Sequence, residues 1–116
     1  MGDRANVHVK ANNLDNGVFL YTQFGGKHLP HKLHAALSRK RRWGNTPYLT
    51  RIIFDTMVSD QARGYGVSAF AIDGNDRILW VDCSRQTVSC NHNTWTFSDY
   101  VKLETDQLDK VWSGEL

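Results

Sequence analysis

Acidic residues are missing from the middle of this chain: none stands between Asp15 and Asp55. The same interval holds Lys27, Lys32, Arg39, Lys40, Arg41, Arg42 and Arg51, half of the chain's 14 Lys and Arg. The end is the reverse, with Asp99, Glu104, Asp106, Asp109 and Glu115 against Lys102 and Lys110. Net charge is only +2, so the chain is not a polycation and its charge is segregated instead. Segregation of this kind suits an anionic ligand for the basic part, head-to-tail contact between copies, or two surfaces that balance within one molecule.

Cysteine is scarce too. Cys83 and Cys90 form no Cys-x-x-Cys pair and no second pair accompanies them, so a cysteine-based zinc site has no ligand set. The two flank an expected turn and could bond across it, although a cytosolic setting favours two reduced, partly buried thiols. No apolar run approaches the roughly 20 residues of a membrane helix, and MGDRANVHVK lacks the apolar core of a signal peptide. The myristoylation pattern is missing as well, since position 6 is Asn6. These features predict a soluble, cytoplasmic protein with no membrane partner. A catalytic signature is lacking, so the sequence alone names no reaction.

What is present is a single expected domain over residues 1–116, with 99–116 as a docking tail. Four Trp, four Tyr and five Phe supply a core, a self-association surface or a stacking surface. Alternation in Asn6 to Ala11 and a β-rich run in Val18 to Phe24, joined through Asp15-Asn16-Gly17, predict an opening hairpin. Leu29, Leu33, Ala36 and Leu37 keep one helical face after Pro30, and Trp43 with Gly44 closes that helix, Gly44 taking the left-handed position. Thr46-Pro47 restarts a helix, Thr46 as its cap, with Leu49, Ile52, Ile53, Thr56 and Met57 as its stripe. Runs at 66–73, 77–83 and 87–90 predict an antiparallel meander, 94–97 a short edge strand, and Ser98-Asp99 the cap of a short helix. The order ββ-αα-βββ gives an α+β fold: an antiparallel sheet covered by a helix pair, with a short C-terminal helix.

Several residues invite chemistry. Arg39, Arg42 and Arg51 bring the planar fork that grips phosphate, and Tyr21, Trp43, Tyr48 and Phe24 could stack a base. A solvated basic helix face is the bland alternative. His28, His31 and His34 recur every third position, but no Asp, Glu or Cys stands beside them, so surface histidines are expected rather than a metal site. Gly64-Tyr65-Gly66 precedes a strand, not a helix, so it is no phosphate loop; Tyr65 and Ser68 either line a pocket or simply begin the strand. Asp82, Cys83 and His92 hold the types for a thiol nucleophile, with nothing in their spacing to assemble one.

The blocks LYTQFGG, LPHKLHAALSR, RW, YLTRIIFDTM and GYGVS, over residues 18–70, resemble a family of small proteins encoded by bacteriophages and other mobile elements. The chain departs from that pattern at Gln23, Phe24 and Gly25, where relatives often carry His, Trp and Asp. The resemblance implies a setting, the host cytoplasm and its defence systems, more than a mechanism. With the residues it gives the expectation of a non-enzymatic, cofactor-free protein that sequesters a small anionic nucleotide-like ligand, a host-defence signal. Lys27, Arg39, Arg42 and Arg51 would hold the charge, Tyr21, Trp43 and Tyr65 would stack, and Ser68 would line the site, in a homo-oligomer. The alternatives are a protein inhibitor of a host defence complex and a small nucleotide hydrolase.

Overall fold

The structure is a computed structural model that describes residues 2–12, 15–59, 63–72 and 77–115. Its order is β1 (Ala5–Lys10), β2 (Val18–Thr22), α1 (Leu29–Ser38), α2 (Thr46–Met57), β3 (Tyr65–Ser68), β4 (Ile78–Asp82), β5 (Thr87–Cys90), β6 (Asn93–Thr96), α3 (Phe97–Tyr100) and α4 (Thr105–Leu108), with a 3-10 turn at Gly26–His28 leading into α1. The fold is α+β, a six-stranded sheet in the order β3-β2-β1-β4-β5-β6. Every neighbouring pair is antiparallel except β1 with β4, which is parallel.

The opening hairpin forms as its alternation predicts, Val7 opposite Leu20 and Val9 opposite Val18. Asp15 fixes its turn by accepting from the backbone N–H groups of Ala11 at 2.9 Å and Gly17 at 3.0 Å. The meander differs from expectation. β3 pairs with β2, at one edge, and β4 inserts beside β1. The proposed turn at 73–76 lies outside the described residues. The physical reason for the rearrangement sits in β1, whose residues are buried on both faces and which needs a strand on each side. Asn6 marks the path of the crossing chain. Its amide donates to the Ile72 carbonyl at 3.1 Å and accepts from the Ile72 N–H at 3.3 Å, so a fully buried polar side chain serves the segment leaving β3.

The helix pair packs against itself and over β1. Its expected stripes are buried except at Thr56, which is half-buried: Leu29, Leu33, Ala36 and Leu37 from α1, and Leu49, Ile52, Ile53 and Met57 from α2. Burying each of these Leu and Ile side chains is worth about 1.5–3 kcal/mol. They meet Val7, Val9, Leu20, Leu79, Val81 and Val88 of the sheet in one core. Phe97 and Tyr100 of α3 and Leu108 and Val111 near the end complete it. Trp112 Nε1 donates to the Gly26 carbonyl at 2.8 Å, tying the end of the chain to the start of α1.

Three helix boundaries move, α3 beginning at Phe97 under a Thr96 cap rather than at a Ser98-Asp99 cap. α1 stops at Ser38, five residues before Trp43, and Asn45 rather than Thr46 caps α2, its Oδ1 accepting from the Tyr48 N–H at 3.3 Å. The early stop has a cause. The Leu37 carbonyl accepts the Lys40 N–H at 3.0 Å and the Trp43 indole N–H at 3.2 Å, so the indole closes the end of α1 while its ring packs edge-on against Phe97 at 5.4 Å. Bringing Trp43 back that far bends the chain sharply. Lys40 (φ 54°) and Arg42 (φ 62°), not Gly44, take the left-handed backbone. Among the described residues no helix is long and apolar enough to cross a membrane.

Candidate anion-binding groove

The end of α1 with the turn after it, and α3 with the two residues after it, enclose a groove of about 400 Å³ lined by Ser38, Lys40, Trp43, Ser98, Val101 and Lys102. Each wall is held by burial behind it. Phe97 and Tyr100 are fully buried, and the Tyr100 hydroxyl donates to the Pro30 carbonyl at 2.8 Å, which fastens α3 to α1. Burial pushes the pKa of that hydroxyl up, so it stays a donor. The Thr96 side chain caps α3 by accepting from the Asp99 N–H at 3.1 Å. His34 Nε2 donates to the Val101 carbonyl at 2.9 Å, a second tie across the same seam. The groove thus brings a half-buried indole, two lysines and two hydroxyls together on anchored backbone. Among the described residues its lining holds no carboxylate, imidazole or thiol.

The basic run is not distributed around a helix, because the helix has ended. Arg39, Lys40, Arg41 and Arg42 are all exposed on the turn. Arg42 and Arg51 do come together: both guanidinium groups lie over the Tyr48 ring, at 4.8 and 6.0 Å, and Arg51 also pairs with Asp55 at 3.4 Å. Trp43 belongs to the groove. The other expected residues lie elsewhere. The Lys27 backbone N–H is bound by the Asp3 carboxylate at 2.8 Å. Tyr65 lies beside the Lys32 ammonium at 5.7 Å, and that ammonium donates to the Met57 carbonyl. Tyr21 and Ser68 belong to the sheet face away from the helices, where the Tyr21 ring lies against Gly66, its cross-strand partner. A methyl group on Gly66 would collide with that ring. Lys102 and Ser98 were beyond reach of sequence reasoning; they stand some sixty residues after Ser38, and only the burial of Phe97 and Tyr100 delivers them.

The histidines divide between structural partners. His31 Nε2 meets Asp109 Oδ1 at 3.0 Å, joining the acidic end of the chain to α1, and His28 lies 6.2 Å from the His31 ring. Among the described residues no group of three His, Cys, Asp or Glu is placed to hold a metal ion. Cys83 and Cys90 are free and buried. Burial pushes both thiols up, Cys90 to about 11, and for Cys83 the nearby carboxylates of Asp82 and Asp15 add to it against a hydrogen bond with Thr46. That direction is opposite to what a thiolate nucleophile requires. Comparison with protein-family models, with curated proteins and with solved structures gave no match, so this groove is read on its own geometry.

Proposed function

We propose that the protein binds and sequesters a small anionic, nucleotide-like ligand in the groove between α1 and α3. The observation that carries this reading is that the Trp43 indole, Lys40 and Lys102 line one groove. An aromatic face suits a base, two ammonium groups suit phosphate oxygens, and the Ser38 and Ser98 hydroxyls can donate or accept at the sugar. About 400 Å³ lies within the range of small-molecule sites. The left-handed backbone of Lys40 supports it, since strain of this kind collects where a side chain is needed in one place. In this reading the protein acts by binding, with Lys40, Lys102 and the indole holding the ligand. Its resemblance to mobile-element proteins makes a host-defence signal the natural cargo. Titration calorimetry with cyclic dinucleotides and ADP-ribose, together with analysis of small molecules released on denaturation, tests this. Saturable binding that Lys40→Ala and Lys102→Ala each weaken is expected; no binding at high protein concentration refutes it.

A second reading has its own observation. Phe24, Val67 and Phe70 are exposed near the β3 edge of the sheet, and such residues mark protein contacts. A protein inhibitor of a host complex would use that edge and would co-purify its target without any small molecule.

A further inference from the structure

The sheet face turned away from the helices carries a second groove, of about 320 Å³, lined by Lys10, Trp80, Val81, Asp82, Arg85, Thr87, Ser89 and Thr94. We propose that it binds a neutral saccharide unit, stacked on Trp80 and hydrogen-bonded by the polar row beside it.

The sheet register builds this site. Trp80 stands opposite Ser89, and Ser89 opposite Thr94, so the indole and two hydroxyls form one row across β4, β5 and β6. Lys10, Asp82 and Thr87 form the next row on the same face. Neighbouring strands are about 4.8 Å apart and same-face residues along a strand about 6.7 Å apart. The result is a grid of polar groups beside one ring, on a scaffold of paired strands rather than loops.

Trp80 is 43% exposed, unusual for an indole on a short strand. Its lower side is held: His8 packs against it at 5.1 Å and Phe19 at 6.2 Å, and His8 Nε2 is tied to the Asn16 carbonyl at 2.7 Å. The ring is therefore a fixed platform. Its two aromatic neighbours are not platforms. They meet it tilted, at 57° and 74°, His8 is only 5% exposed, and among the described residues Trp80 is the aromatic ring that lines the groove.

That single ring decides the ligand class. A single-stranded nucleic acid needs successive stacking faces and a surplus of positive charge. Here there is one ring, and the Asp82 carboxylate stands among Lys10 and Arg85. A sugar ring asks for something different. Its C–H face lies on an aromatic ring, and each hydroxyl is both donor and acceptor, so it is matched by donor-only and acceptor-only groups side by side. Lys10 and Arg85 donate only, and Asp82 accepts only. Asp82 Oδ1 already accepts from the Ser84 N–H, the Ser84 hydroxyl and the Arg85 N–H, which fixes the carboxylate and leaves Oδ2 with acceptor capacity. Ser89 and Thr94 share one hydrogen between their oxygens at 3.0 Å, so the pair keeps one hydroxyl hydrogen and several lone pairs for a ligand.

The test is an NMR titration of the isotope-labelled full chain with cellotriose, maltotriose and chitotriose, followed at the four indole N–H resonances and the strand amides. At least one sugar should shift the Trp80 indole and the amides of Thr87, Ser89 and Thr94 saturably in the millimolar range, with no change on adding sodium chloride. Arg85→Gln should weaken that binding about tenfold, as expected for losing a charged hydrogen-bond donor. Trp80→Ala should abolish it, and Ser89→Ala, which leaves the indole in place, should weaken it with an unchanged amide spectrum. The proposal is overturned if no sugar moves the Trp80 indole saturably, if the sugars move only Trp43, or if a thymidine oligonucleotide moves Trp80 more strongly and in a salt-dependent way. Cyclic dinucleotides, in contrast, should move Trp43 and leave Trp80 still, so the two grooves succeed or fail separately.

Discussion

Replacing Lys40 by glycine should stabilise the protein while weakening its hold on an anion. Lys40 has a left-handed backbone at φ 54° and an exposed side chain. A left-handed L-residue costs about 1–2 kcal/mol, because Cβ crowds the following carbonyl. Glycine removes that cost, but its freer unfolded chain returns about 0.5–1 kcal/mol. The net expectation is a gain of roughly 0.5–1 kcal/mol, or about 2–4 °C in Tm for a chain of this size. Ala35 supplies the control. It is exposed in the middle of α1, and Ala35→Gly should lose about 1 kcal/mol. The same new residue should therefore act with opposite sign five positions apart. Thermal and urea unfolding measure both. Calorimetry on the Lys40→Gly protein should show nucleotide affinity lowered by about tenfold or more, since one charged contact is worth about 1.5–3 kcal/mol. A Lys40→Gly protein destabilised as much as Ala35→Gly would refute the strained turn. A stabilised protein with unchanged affinity would remove Lys40 from the site.

Tyr100→Phe should cost about 1–1.5 kcal/mol, because it deletes a buried hydroxyl bonded to the Pro30 carbonyl and leaves the ring's packing intact; urea unfolding reads this, and a loss of affinity in the α1–α3 groove should accompany it. Acid should destabilise the fold through Asp3, Asp15 and Asp82, all lowered from their ordinary value of 3.8. For Asp3, burial pushes up, but the Arg77 hydrogen bond, the Lys27 N–H and the charges of Arg77 and His28 outweigh it. The unfolded chain therefore takes up protons first, so this stability is complete above 3.8 and is lost as the pH falls through the lower folded values. The urea midpoint measured down through that window should decline, and less steeply in Asp3→Asn. Both thiols should resist a disulfide reagent in the native state at neutral pH and react on unfolding, given their burial and the upward shift of Cys90 to about 11; fast reaction of either would contradict the packing described.

Legibility in the sequence followed the range of the physics involved. The hairpin and both helix stripes rest on periodicities within a dozen residues, and the buried faces are the ones those periods mark, from Leu29 to Leu37 and from Leu49 to Met57. What failed was decided at longer range. The parallel placement of β4 beside β1 depends on β1 being buried on both faces, and β1 reads as an alternating strand only because His8 and Lys10 are polar. Asn6, which carries the crossing chain, looks like any strand-end polar residue until Ile72 is found against it. The early end of α1 is a contest between local preference and a tertiary bond. Basic residues at a helix end suit its dipole and would extend it, but the Trp43 indole gains both the Leu37 carbonyl and the Phe97 edge by turning back. The same contest decides where the basic run points. Its residues are adjacent in sequence, yet the turn sends Arg42 to Tyr48 and Lys40 to a groove whose other wall is α3. Charge density along the chain marks this turn, and tertiary contacts then send its side chains to different neighbours. The groove depends on which apolar residues, Phe97 and Tyr100, pull a distant polar segment onto the end of α1.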